Sequence, residues 1–486
     1  MTPTLDAVVV GSGPNGLAAA ITLARAGCLV RVYEAEATVG GGLRSAELTL
    51  PGFQHDLCAA VHPLARSSPF FRWAGLEDHG LEWCEPDVQL AHPLDDGTAV
   101  ALWRDIAATA DSLGADARAY SRLLRPFVDA WPDLMHATLG PVNRLPRNPL
   151  LLARFGAVAF QSAERAARRA FAGERARALF AGHATHAMLP LDRLFTASFG
   201  VILGAAGHAV GWPVARGGSQ AVADAMVRCL TAHGGEVVTS SPIDRFEQLP
   251  PARAYVFDVT PDQLLRIAGD RFGGRFGALY RRQLGRFRRG SAVFKLDYAL
   301  SERVPWTAPE CRRAGTVHVG GTLDEIARAE HDVGAGRVPD RPFVIAAQQS
   351  VADDTRAPAG AHTLWAYGHV PHGCDIDITD AIERQIERFA PGFKDVVLAR
   401  VATPPAGIAA RNRNNVGGDI GGGSHGGLQL FFRPALRWNP YTTPDPQIFL
   451  CSSSTPPGAG VHGMGGYWAG RAVMRRMGGG RIAERY

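Results

Sequence analysis

The sequence predicts an α/β fold in which a Rossmann-like nucleotide-binding domain is interleaved with an α+β second domain. Three observations carry this reading. Near the N-terminus the apolar residues Ala7 to Val10 run into Gly11, Gly13 and Gly16 at G-x-G-x-x-G spacing, then a helical stretch from Leu17 to Ala26, then a second apolar run ending in Glu34. Near the C-terminus the strand "QIFLCS" feeds a glycine-rich loop and a helix, "SSTPPGAGVHGMGGYWAGRAVMRRM". Between them, from about 104 to 206, the pattern becomes helical and rich in Arg and Ala.

The N-terminal unit reads as strand, tight turn, helix, strand, acid. Gly11 allows the sharp turn, Gly13 lets backbone N–H groups approach a pyrophosphate, and Gly16 lets the helix pack close to the strand. Ser12, Pro14 and Asn15 complete the loop that opens the helix, whose unpaired N–H groups favour negative charge. Glu34, followed by Ala35, lies where an acid accepts hydrogen bonds from ribose hydroxyls and repels a 2′-phosphate, which selects FAD or NAD.

At Trp212 the α/β pattern returns: a Gly turn, an amphipathic helix, a Gly-Gly stop after His233, and the strand "EVVTS", whose Val238 is expected beside the nucleotide. The strand "ARAYVFDVTP" ends in Asp258, and "SAVFKLDYAL", "PFVIAAQQS" and "HTLWAYGHV" follow as strands. The nucleotide domain is therefore expected to be discontinuous, built from residues 1–70, 212–292 and 410–486, with the substrate domain from 71–211 and 293–409.

Composition narrows the function. The 486 residues are 46% hydrophobic and 20% charged, enough for a large core and two domains. The net charge of +5 is spread out, with no basic stripe interleaved with aromatics, so no nucleic-acid partner is expected. The seven cysteines are scattered and form no C-x-x-C, which predicts neither disulfides nor a metal site and points to a reducing compartment. No signal peptide and no spanning segment are read. The most apolar stretch, "FTASFGVILGAAGHAVGW", is interrupted by Ser198 and His208. A cytoplasmic protein with at most peripheral membrane contact is expected.

"AEATVGGGLRSAELTLPGFQHDLCAAVHPL" follows Glu34, and with it the sequence resembles the phytoene desaturase-like branch of the FAD-dependent amine oxidase superfamily. "LCSSSTPPGAGVHGMGGYWAG" is similar to the C-terminal flavin motif of that superfamily, and "NNVGGDIGGG" (414–423), which holds Asp419, to its loop near the isoalloxazine. The resemblance implies a flavoprotein of the glutathione reductase type with FAD as cofactor. It places Gly41, Gly42, Leu43 and Arg44 at the pyrophosphate, although "GGGLR" sets Arg44 one place later than the usual "GGR". Ser454, Gly460, Val461, Met464 and Gly465 are placed at the flavin. A helix N-terminus there stabilises the negative edge of a reduced flavin by roughly 0.3–2 kcal/mol, with Met464 and Gly465 as expected donors.

Lys295 lies on a strand upstream of Pro305 and Trp306 and resembles the flavin amine oxidase lysine that holds a water at flavin N5; burying it needs a partner. His462 and His62 flank the loops placed near the flavin and are candidate acid or base groups. No second strand, G-x-G-x-x-G and helix unit occurs, so electrons are expected to leave for oxygen, a quinone or a redox partner. The expected activity is hydride transfer between a C–H bond of an apolar small molecule, isoprenoid or lipid-like, and flavin N5. Two alternatives remain: an amine oxidase acting on a C–N bond, and a flavin-free prenyl-binding protein of the Rab GDP-dissociation inhibitor type.

Overall fold

The computed structural model describes residues 4–478. A five-stranded parallel sheet runs Ile448–Leu450, Ala252–Phe257, Leu5–Val10, Val30–Tyr33, Glu236–Val238. Its strands come from three separate stretches of chain, and Leu5–Val10 sits at the centre. Val8 and Val9 are fully buried, as expected of a parallel strand covered on both faces.

The helix Pro14–Ala24 covers one face and packs directly on the C-terminal helix Met464–Arg476. Small residues permit this approach: a Cβ on Gly466 would run into the carbonyl oxygen of Asn15, and one on Gly470 would lie 2.9 Å from Thr22 Cβ. The two ends of the chain thus meet helix to helix and close the domain around its central strand.

The second sheet has seven strands, in the order Val397–Thr403, Ala292–Leu300, His362–Val370, Val344–Ala347, Ala314–Val319, Val88–Pro93, Ala99–Leu102. All neighbours are antiparallel except Ala314–Val319 with Val88–Pro93. The hairpin formed by Val88–Pro93 and Ala99–Leu102 was passed over in the sequence because every residue of both strands is buried, which erases the alternation that marks a half-exposed strand. Helices between Ile106 and Ala209 form a separate layer, as their sequence pattern predicts.

The short hairpin Ser45–Glu47 with Gln54–Asp56 fastens the sheets together. Its Asp56 is fully buried and accepts hydrogen bonds from Arg356 Nη1 (3.0 Å), Ser219 N (2.7 Å) and Ser45 Oγ (2.7 Å), while Arg356 Nε donates to Asp353 (2.7 Å). All seven cysteines are free. Among the described residues no helix is long and apolar enough to cross a membrane.

Candidate active site

A cavity of about 410 Å³ runs from the carboxyl ends of the five-stranded sheet to one face of the seven-stranded sheet. Gly11, Ser12, Gly13, Pro14 and Asn15 line its nucleotide end. Gly11 has φ +98°, and a Cβ on Gly13 would lie 2.6 Å from Asp258 Oδ2, so this loop is a bare backbone cradle that side chains would fill. Gly16 does not line the cavity. Its N–H donates to Asp258 Oδ2 (2.9 Å), and its missing side chain lets the helix rest on Gly11.

Glu34 lines the same end and is held by three donors: Ser12 N (2.9 Å) and Ser12 Oγ (2.5 Å) on Oε2, and Glu36 N (2.9 Å) on Oε1. With a single donor on Oε1, the carboxylate retains accepting capacity toward a ribose. Ala35, Gly41, Gly42 and Arg44 also line the cavity, and the Arg44 guanidinium is anchored on the carbonyl of Arg411. Asp258, Ser241, Ile243 and Asn412 to Asn415 complete this end. Only the tertiary fold shows them together, because they arrive from three loops far apart in the chain. Burial pushes the Asp258 carboxyl up to about 7, with the Gly16 N–H opposing and Glu34 adding to the rise.

Five expected contacts fall elsewhere. Leu43 is fully buried in the core, because the turn Gly41–Leu43 points its one large side chain inward. Val238 is used by the sheet: its carbonyl accepts from Glu34 N (2.8 Å), and the chain meets the cavity later, at Ser241 and Ile243. Ser454 turns its hydroxyl to Gly422 O (3.0 Å), leaving Ser453 on the wall. Met464 and Gly465 are both buried away from the cavity. The Met464 N–H donates to His462 Nδ1 (3.1 Å), and Gly465 is pressed against Cys451 O and Asn15, so the helix start is occupied by protein. The preceding loop does reach the cavity, through Ala459, Gly460 and Val461.

The three candidate catalytic residues also separate. His462 does not line the cavity: Nδ1 caps the C-terminal helix, and burial pushes the imidazole down to about 4. His62 does line it, with Nε2 on Ser219 Oγ (2.8 Å), a buried Nδ1 that has no partner, and a pKa lowered by burial to about 4. Lys295 sits one strand beyond the wall residue Tyr367, and its ammonium is bound by Asp297 Oδ1 at 2.6 Å, with Trp365 5.8 Å away. Burial lowers its pKa and the Asp297 charge opposes that shift. Trp306, expected to accompany it, is fully buried and donates to Gln348 Oε1 (2.9 Å). Lys295 is therefore held in a buried ion pair on the sheet face that carries Trp365 and Tyr367, and it does not itself line the cavity.

The other end of the cavity is lined by Met188, Phe199, Leu203, Trp212, Ile345 and Trp365, with His186, Thr316 and Tyr367 among them. Trp365 and Tyr367 alternate along one strand, so both face inward, in edge-to-face contact at 4.8 Å.

These features fit FAD on the structure's own terms: a Cβ-free cradle at a helix N-terminus for the pyrophosphate, an acid for the ribose, and a wide apolar chamber beyond. When bound, FAD supplies a two-electron hydride acceptor.

Comparison with known proteins agrees. Residues 9–74 match the NAD(P)-binding Rossmann-like domain family. The chain is 24% identical to rat pyridine nucleotide-disulfide oxidoreductase domain-containing protein 2, over 98% of this chain and 94% of that protein. It is 26% identical to hydroxyneurosporene desaturase of Cereibacter sphaeroides, over 93% of this chain and 94% of the relative. A structure of putrescine oxidase bound to putrescine has the same fold, with a TM-score of 0.62 at 16% identity over 98% of this chain and 99% of that one. The resemblance to the phytoene desaturase-like branch of the FAD-dependent amine oxidase superfamily is thereby borne out, and the chain is an FAD-dependent oxidoreductase with this superfamily's fold.

Proposed function

We propose that the chain catalyses hydride transfer between a C–H bond of an apolar small molecule, isoprenoid or lipid-like, and flavin N5. The observation that carries this is the lining of the far chamber. Its walls are aliphatic and aromatic, and every acidic residue of the cavity (Glu34, Glu36, Asp258) lies at the nucleotide end among the described residues. An alkylammonium would find no counter-charge there, whereas an apolar chain would lose water on all sides at about 25 cal/mol per Å². This favours C–H over C–N chemistry. The protein's own contribution is to strip water from the substrate and hold one C–H bond against the flavin.

The same chamber points to an entry route. Phe199 lines the cavity from the helix Thr196–Ala209, and just before that helix Leu194 (62% exposed) and Phe195 form a surface cluster with Phe160 (58% exposed) and Phe431. An exposed apolar cluster one helical turn before a wall residue suits a substrate delivered from a peripheral membrane contact. With no second nucleotide fingerprint in the sequence, the reading gives electrons to oxygen, a quinone or a redox partner.

The test is optical. The purified protein should be yellow and release FAD on heating. Under anaerobic conditions isoprenoid or long-chain lipid compounds should bleach it, while primary amines should not. Bleaching by amines alone would replace this reading with amine oxidation. Sedimentation with phospholipid vesicles tests the membrane contact.

A further inference from the structure

Four histidines gather behind the far chamber. His92, His183 and His318 are buried; His186, partly buried, reaches the cavity. His186 and His318 share a hydrogen bond between their Nε2 atoms (3.2 Å), and Trp212 stands within 6 Å of the His183, His186 and His318 rings. Burial holds all four neutral, His186 down to about 3 and His92 to about 4, with the other two well below the ordinary range.

One hydrogen bond fixes the tautomer of His92, and the arrangement of lone pairs around it bears on the other two rings. His92 Nε2 faces the carbonyl oxygen of Gly321 (2.7 Å), which can only accept, so this nitrogen carries the hydrogen and His92 Nδ1 keeps a lone pair. Neither that Nδ1 nor His318 Nδ1 has a hydrogen-bond partner, and both open on the space beside Gly182, where a Cβ would lie 2.7 Å from the His318 atom and 3.3 Å from the His92 atom. A hydrogen on His318 Nδ1, which keeps two lone pairs from facing each other across that space, makes His318 Nε2 the acceptor and His186 Nε2 the donor. His186 Nδ1 is then an unpartnered lone pair on the cavity wall. The residue two places on, Met188, also lines the cavity and is held at φ +53°, a strained conformation of the kind that clusters at functional sites.

We propose that His186 is the general base of the cavity and that His318 is the positioning residue that fixes its tautomer. The proposal rests on the C–H reading above and adds the fate of the second hydrogen. When one carbon of an apolar chain gives up hydride, the C–H bond on its neighbour breaks. Its electron pair becomes the new C=C bond, and the proton goes to His186 Nδ1. The substrate is oxidised by two electrons, the flavin is reduced by two, and the released proton rests on His186. The substrate class this implies is a hydrocarbon segment with adjacent C–H bonds.

Two measurements on the FAD-loaded protein test the proposal. Diethyl pyrocarbonate acylates unprotonated imidazole nitrogens it can reach. Peptide mass spectrometry after labelling at pH 6 should find His186 modified, and His92, His183 and His318 modified only after unfolding. An unlabelled His186 in the folded protein would overturn the proposal. With a panel compound that bleaches the flavin, His186→Gln should slow anaerobic reduction by at least about 100-fold at full FAD content, and imidazole should restore His186→Ala at least tenfold. His186→Asn replaces Gln if FAD is not retained. For the positioning role, His318→Phe should slow reduction and His318→Gln, which keeps an acceptor near Nε2, should restore it. An unchanged rate in His186→Gln overturns the base assignment. If no apolar compound bleaches the wild-type protein, the C–H reading fails, and the labelling pattern still decides whether His186 is the open, neutral imidazole.

Discussion

Asp258 Oδ2 accepts the N–H of Gly16 at 2.9 Å, joining two residues 242 positions apart beneath the nucleotide cradle. The carboxyl is buried, and burial pushes it up to about 7, so its charge changes around neutral pH beside the place where a pyrophosphate is expected. Its folded pKa is raised above the ordinary 3.8, so the stabilisation from its proton is complete below that value and is lost as pH rises to about 7. FAD affinity and apoprotein melting temperature should both fall as pH climbs through this window. In Asp258→Asn, which keeps an acceptor for Gly16, both should become nearly flat with pH. Fluorescence titration of FAD from pH 5 to 8, alongside thermal melts, checks this.

Glu34 should decide cofactor affinity. Charge-assisted hydrogen bonds to a ribose are worth about 1.5–3 kcal/mol each, so Glu34→Gln should weaken FAD binding by at least tenfold. Isothermal titration of the apoprotein measures the change, and an unaltered Kd would mean that other groups hold the ribose.

Lys295 should matter for folding more than for oxygen chemistry. Removing one partner of a buried ion pair typically costs about 3–5 kcal/mol, so Lys295→Met should be strongly destabilised in urea, and Lys295→Met with Asp297→Leu should recover most of the loss. Stopped-flow reoxidation of the reduced flavin should change little. A reoxidation rate lowered 100-fold in Lys295→Met would instead return the lysine to the flavin.

The meeting of the two chain ends is open to a simple steric test. Gly466→Ala would drive a methyl into the backbone of Asn15, and overpacking of this kind costs about 1–3 kcal/mol or more. The variant should melt earlier and bind FAD weakly because the helix carrying Asn15 shifts. Gly269→Ala, whose Cβ would meet nothing within 4 Å, is the control and should leave both quantities unchanged.

The cradle residues Gly11 to Asn15, with Glu34, Gly41, Gly42 and Arg44, were legible because their roles depend on spacing within one short stretch of backbone, which local geometry enforces. The readings that moved are those where a backbone or side-chain group had a protein partner as well as a possible ligand, or where a side chain turned into the core. Met464 N–H faces His462, and Val238 O serves the sheet, because packing satisfied them before any ligand was needed. Lys295 was recognised as a lysine that needs a partner, and the partner proved to be Asp297, two residues along the same strand face.

The sequence by itself determined the nucleotide fold, the acid at its ribose position and the cofactor class, since glycine spacing and strand–helix periodicity act over a few residues. Only the tertiary structure decided which histidines line the cavity and that Asp258 lies beneath the glycine loop. His186 and His318 are 132 residues apart and Asp258 and Gly16 are 242 apart. No local propensity links such positions; the pairing of distant strands and the burial that comes with it bring them together and set their charge.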